Sequence, residues 1–446
     1  MKRATAAKIL RVVCLSLVAL ASRAAVAPPP PGVGAGPEIC VSPTGDDANP
    51  GTPAKPLRSL AKAAELARPG VAVVFEDGEY DLGVAIRPSG TAAAPIVFRA
   101  RNPRKAVFHG AGPADAGRTP GIKIRGDYVV LDGLVIENYP NTGVTVDGTH
   151  ATVRNCILHH NGWMVPKESF GGAGLLCGGN AHDLTLENNE SWENREHGFY
   201  ISGGADRPVI RGNRLHDNGD PNRALGGNGL QINADGGNWP TEKAIIEGNV
   251  ISNNLANGID LQGACGARIA NNLIAANRKS GISAGKGSSE NLIVNNTIQA
   301  VPKHLPAVHL GSGGNYGPSK DNRFRNNILV AEGGLPIVWD GTNAAPVEAD
   351  YNLLWAGPGQ PGAQEGRSRI RLTLADCRAR GLETHSVVAD PQFVDAARGD
   401  FHLRPGSPAL AAGIAQPDVR ADLDGIARPP GRAYDLGAFA VPKQER

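Results

Sequence analysis

Between Asn189 and Asn296 short runs of alternating apolar and polar residues return roughly every 24 residues, each opened by an Asn and reset by a Gly. The copies read Asn213-Arg214-Leu215 … Gly229-Leu230-Gln231-Ile232, then Asn249-Val250-Ile251 … Gly258-Ile259-Asp260-Leu261, then Asn272-Leu273-Ile274 … Gly281-Ile282-Ser283-Ala284. Alternation places successive side chains on opposite faces of a strand. Fixed-period self-similarity predicts an all-β solenoid, in which each coil buries its apolar face only against its neighbours. Aligning Gly143, Gly174, Gly198, Gly229, Gly258 and Gly281 yields two interior columns. One is Val144, Leu175, Phe199, Leu230, Ile259, Ile282, and the other is Val146, Cys177, Ile201, Ile232, Leu261, Ala284. The column between them, Thr145, Leu176, Tyr200, Gln231, Asp260, Ser283, must face outward, with Asn233 and Gln262 two positions further on and His197 just before its glycine. Coils stack ~4.8 Å apart, so Tyr200, Gln231 and Asp260 are expected to form one contiguous row.

The pattern also divides the chain. Residues 1–27 carry Lys2, Arg3 and Lys8 before an apolar run and then small residues, the layout of an export signal. Residues 28–38 form a Pro/Gly-rich linker. Residues 39–95 hold an N-terminal cap and the first coils, with a helix over roughly Leu57–Ala67 whose Leu57, Leu60, Ala61, Ala64 and Ala67 share one face. The repeated coils occupy 96–345, and 346–446, where no repeat continues, is expected to cap the C-terminal end. Insertions at Gly162–Ala173, Gly219–Asn228 and Ala234–Thr241 are expected to rise around the outward row, because repeat proteins place insertions on one face. The Asn column (Asn213, Asn249, Asn272, Asn296) reads as structural, since stacked turn amides hydrogen-bond one another.

Composition narrows the function. A formal net charge of +2, with dispersed Lys and Arg, gives no argument for nucleic acid. No segment after the signal is apolar enough to span a membrane, so a secreted or periplasmic monomer is expected. Cys14 lies in the signal, while Cys40, Cys156, Cys177, Cys265 and Cys377 lack metal or scaffold spacing and are expected to be buried thiols.

These phrases resemble the right-handed parallel β-helix proteins, a group that includes secreted polysaccharide lyases, pectin hydrolases and alginate epimerases. The opening Val41-Ser42-Pro43-Thr44-Gly45-Asp46-Asp47 is similar to the N-terminal cap of many such proteins. The ending Ser407-Pro408-Ala409 … Asp424-Gly425 … Asp435-Leu436-Gly437-Ala438-Phe439 resembles a choice-of-anchor-Q region. His197-Gly198-Phe199-Tyr200-Ile201-Ser202 is similar to the His-Gly-Ile-x-Val-Ser phrase of alginate epimerases, although their Asp-Pro-His-Asp/Glu motif is absent. The Gly-His-Gly and Arg-x-Lys signatures of polygalacturonases are absent as well.

The resemblance implies a right-handed parallel β-helix and a lyase acting on an acidic, uronate-containing polysaccharide. β-Elimination needs a cation at the uronate carboxylate and a group that removes the C5 proton. His197 or Tyr200 is expected in acid–base chemistry, and Lys286, Lys167 or Lys243 as base or carboxylate partner. Gln231, Asn233, Asp260 and Trp239 are expected to bind substrate, with Trp163 and Trp192 as further stacking residues. Asp235 with Asp260 is expected to hold Ca²⁺ through oxygens. Two other readings stay open: a glycosidase using Asp235 and Asp260 as its carboxylate pair, and a non-catalytic glycan-binding protein of the cell envelope.

Overall fold

Each coil gives one short strand to each of three sheets, because every turn of the chain resets the alternation at an Asn or Gly corner. The computed structural model describes residues 36–81, 83–110, 121–162, 171–223, 226–234, 240–301, 305–311, 317–341, 344–359, 362–365, 370–428 and 431–442. The expected signal and most of the linker lie outside these residues. Three 12-stranded sheets run the length of the chain. Their pairings are parallel except where Ile370–Leu372 adds antiparallel to Ala363–Glu365. The result is a parallel β-helix solenoid.

The register matches the glycine alignment. Phe199–Ser202 pairs with Leu230–Asn233, which pairs with Ile259–Gln262, which pairs with Ile282–Gly285. Both interior columns are buried to within 3% and belong to one core that continues from Val41 to Leu382. Each Leu, Ile, Val or Phe so placed contributes about 1.5–3 kcal/mol. The strand glycines are dictated by close approach. A Cβ on Gly258 would stand 2.4 Å from the Ile274 methyl and 2.8 Å from the Gly281 carbonyl oxygen. Any larger residue there would push the coil apart.

The expected Asn column is a continuous buried ladder from Asn189 through Asn213, Asn249, Asn272, Asn296 and Asn327 to Asn352. Each Asn donates its backbone N–H and side-chain amide to the Oδ1 of the next at 2.9–3.1 Å. It ends at Glu383, which accepts from Asn352 Nδ2 at 3.0 Å and from Ser386 Oγ, and which burial pushes up to about 7. A second ladder, Asn161, Asn194, Asn218, Asn254 and Asn277, lines another corner in the same way.

At the N-terminal side a helix spans Leu60–Leu66, shorter than the expected Leu57–Ala67, with Ser59 capping Lys62 N–H. Its Leu60, Ala63 and Ala64 are buried in the core. Coils also continue past 345: Glu348–Asp350 and Leu353–Trp355 keep the parallel register. Beyond them Leu372, Cys377 and Leu382 join the interior. The remaining C-terminal segment packs on the last coils and reaches back beyond them. It lies along the flank of the solenoid, with Phe401, Ala438 and Phe439 on Val250, Leu273 and Ala275, and Leu403, Ala409 and Leu436 on Ile328, Val330 and Leu353. Apolar outward positions on these coils explain the placement, since they would otherwise face water.

His402 pins this segment, its ring bridging Asp424 and Asp400 at 2.6 Å each and packing 4.2 Å from the Phe439 ring. The Asp424 contact first, with Asp400 behind it, pushes the imidazole up to about 9. A raised folded-state value means that the stabilisation is complete below the unfolded value of ~6.5 and disappears as pH rises through about 9. Asp424→Asn should therefore lower Tm clearly at pH 6 and hardly at pH 10, as a paired thermal-melt series would register.

Among the described residues no helix is long and apolar enough to cross a membrane. Cys40, Cys156, Cys177 and Cys377 are buried, Cys265 is partly so, and all five are free thiols.

Candidate active site on the outer sheet face

Tyr200, Gln231, Asp260 and Ser283 stand side by side on neighbouring strands, as their register requires. One position up each strand the side chain turns inward, and two positions up Asn233 and Gln262 face outward again beside the row. The polar groups form a connected network. Lys286 Nζ donates to Asn233 Oδ1 at 2.8 Å, and Asn233 Nδ2 donates to the Tyr200 hydroxyl oxygen at 2.9 Å. Lys286 reaches back because its residue takes a left-handed turn (φ 46°) directly after its strand. Further along, Asn228 Nδ2 donates to Gln231 Oε1 at 2.9 Å, and Gln262 Nε2 donates to Asp260 Oδ1 at 2.9 Å.

Asp260 is only 9% exposed, and desolvation raises its carboxyl above the ordinary range against the hydrogen bonds of Gln262 and Ser283 and the charges of Lys279 and Lys286. Asn228 Nδ2 approaches its other oxygen at 3.5 Å. Ca²⁺ takes 6–8 oxygens, several of them carboxylate. Among the described residues no group of three or more His, Cys, Asp or Glu converges on one point, and Asp260 has both oxygens turned to protein donors. Asp235, the other expected ligand and the second carboxylate of the glycosidase reading, lies outside the described residues, as do Trp239, Trp163 and Lys167.

His197 departs from its expected place. It is 3% exposed, lies beneath the row 5.6 Å (ring centroids) from Tyr200, and accepts the Asn228 N–H on Nδ1 at 3.3 Å. Desolvation, aided by the charge of Arg223, pushes it down to about 3, so the ring is neutral. The inserted segment causes this burial. Residues 219–223 are tied to the preceding coil by two buried ion pairs, Arg195 with Asp220 at 3.5 Å and Arg223 with Glu196 at 3.6 Å. Glu196 also accepts the Gly171 N–H at 2.7 Å, linking two insertions. His197 thus packs beneath Tyr200 and holds the Asn228 backbone. Lys243 is exposed at a corner beside Cys265 and belongs to no part of the row. Trp192 stands on a different sheet, stacked 4.5 Å from His159.

Sequence reading missed Arg195, Glu196, Asp220 and Arg223, whose pairing depends on how an insertion folds back. Asn228 and Gln262 were legible as column members, but their role as clamps on Gln231 and Asp260 was not.

The geometry belongs to a known architecture. Residues 39–206 match the family model described as Pel9A-like, right handed beta helix region, and residues 225–356 match one described as right handed beta helix region. The chain is 26% identical over 447 aligned residues to the uncharacterized protein YwoF of Bacillus subtilis, covering 84% of this chain and 92% of that protein. It is 27% identical over 235 residues to pectate lyase PEL9 of Emericella nidulans, spanning 50% of this chain and about half (49%) of that protein. The crystal structure of pectate lyase Pel9A superposes with a TM-score of 0.59 over 92% of this chain and 98% of its own, at 19% identity. With three parallel sheets, an interior built from aligned strand columns and these two matches, the chain is a right-handed parallel β-helix protein.

Proposed function

We propose that the chain cleaves an acidic, uronate-containing polysaccharide by β-elimination on the sheet face bearing Tyr200, Gln231 and Asp260. The observation that carries this reading is the relay from Lys286 through Asn233 to Tyr200. In β-elimination the C5 proton is removed, the C4–O4 bond breaks, and a C4=C5 double bond forms while O4 takes up a proton. The reaction develops negative charge beside the uronate carboxylate, and a fixed cation stabilises it. In this reading Lys286 meets the carboxylate. Tyr200 takes the C5 proton on its phenolate oxygen, which the Asn233 amide stabilises by donating to it, and returns that proton to the departing O4, so that the phenolate is regenerated. Gln231 and Asp260 position sugar hydroxyls, held in place by Asn228 and Gln262. Similarity to pectate lyases supports the substrate class, and the N-terminal export pattern supports action outside the cytoplasm.

The test is incubation with polygalacturonate and with alginate, with added Ca²⁺ and with chelator. Growth of ultraviolet absorbance from unsaturated uronate ends is the expected result. New reducing ends without that absorbance would replace elimination by hydrolysis, and binding without any product would leave a glycan-binding protein.

A further inference from the structure

A second organised row lies on a different sheet and has no part in the reading above. His109, Glu137, His159, Trp192 and His216 occupy one register position on successive strands. The His159 and Trp192 rings stack at 4.5 Å and 15°, and Trp192 is parallel to His216 within 2°. His160 follows His159 in a left-handed turn (φ 54°), which swings its ring back across the row, edge-on to Trp192 at 5.0 Å. As a result His159 Nδ1 and His160 Nδ1 stand 2.8 Å apart.

The protonation of these rings follows from what lies on their far sides. Glu137 Oε2 is 2.7 Å from His159 Nε2, and Glu193 Oε2 is 2.6 Å from His160 Nε2. A ring lone pair that close to a carboxylate oxygen would be repelled, so each Nε2 turns its N–H to the carboxylate and each Nδ1 faces the other ring. Two imidazole nitrogens facing each other at 2.8 Å share a cation between them, a proton or a metal ion. A carboxylate behind each imidazole is also the arrangement that orients metal-bound histidines and raises their basicity.

We propose that His159 Nδ1 and His160 Nδ1 form a two-imidazole binding site for a tetragonal divalent ion, Cu²⁺ above all, with water completing the shell. Nitrogens 2.8 Å apart at metal distances of ~2.0–2.1 Å subtend roughly 90°. That is the cis angle of tetragonal copper or nickel, whereas tetrahedral zinc wants a wider one. A small swing of the His160 ring, whose side chain is 39% exposed, brings both lone pairs onto one ion.

Trp192 provides the readout, because a paramagnetic ion bound to the two rings it touches quenches its emission. Titrating the full chain with Cu²⁺ should quench fluorescence saturably at one equivalent, and Trp192→Phe should remove that phase. His160→Asn keeps a residue that tolerates the left-handed turn, as Asn138 and Asn253 do at their own corners. It should weaken the affinity at least ~10-fold, and His159→Gln should do the same. Electron paramagnetic resonance should show two nitrogen ligands in the wild type. Unsaturable quenching, or equal affinity in wild type and His160→Asn with both folded by circular dichroism, overturns the proposal and leaves a proton as the bridging cation.

Discussion

Asn249→Ala should destabilise the protein by about 3–5 kcal/mol, one of the largest losses available to a single substitution here. The Asn249 side chain is completely buried, accepts from Asn213 N–H and Nδ2 at 2.9 and 3.0 Å, and donates to the Ile210 carbonyl and Asn272 Oδ1 at 2.9 Å. Alanine removes the side-chain partner of both neighbours at once. The Asn213 N–H and the Ile210 carbonyl are then left buried without it, each costing about 1–3 kcal/mol. Asn249→Asp should be no milder. It keeps the acceptor but places carboxylate oxygen where Nδ2 now meets two other oxygens. Urea unfolding followed by circular dichroism measures both. A loss under 1 kcal/mol for Asn249→Ala would mean that the coil corners relax around the gap and that the ladder is not a principal support.

The largest expected effect on activity belongs to Lys286. If its ammonium meets the uronate carboxylate, Lys286→Met should reduce kcat on the productive polysaccharide by about 10²–10³-fold, the usual cost of deleting a fixed group at developing charge. Lys286→Arg should restore a substantial part of that loss, since charge rather than proton transfer is required. Tyr200→Phe, by contrast, should lower kcat with little change in KM, because it removes a proton route and leaves the binding row intact. Lys286→Arg as inactive as Lys286→Met would move Lys286 from carboxylate partner to base. Wild-type rates in Tyr200→Phe would remove the outer row from the mechanism.

The row and both interior columns could be read directly because strand alternation and the strand glycines are short-range constraints. Gly258 admits no Cβ, so it marks the same point on every coil. The first Asn ladder was legible for the same reason. So, in principle, was the second, since its members stand five positions after those of the first (189 and 194, 213 and 218, 249 and 254, 272 and 277). The burial of His197 was not legible. It depends on Arg223 and Glu196 meeting through an inserted segment, and no periodicity encodes that contact. Nor could alternation reveal that His160 turns back onto His159, because a left-handed residue breaks the two-residue rhythm on which the reading rests. The C-terminal segment was expected to pack on the last coils; Leu403, Ala409 and Leu436 do so on Ile328, Val330 and Leu353, and Phe401, Ala438 and Phe439 continue along the side to Val250 and Leu273. Its placement is set by apolar outward residues such as Val250 and Leu273, which sequence alone does not distinguish from interior ones.

That lateral placement changes what kind of object the molecule is. A bare stack of coils is nearly a one-dimensional chain of identical links, each aware only of the next, and such chains melt inward from an open end. Here residues from the last part of the sequence grip coils as distant as Asn271, Asn295 and Asn326, through Ala421, Asp435 and Ile414 respectively. Loosening any one of those coils therefore strains contacts several coils away. The segment acts like a batten nailed across the slats, making the C-terminal half a single cooperative unit while the coils before it remain an ordinary stack.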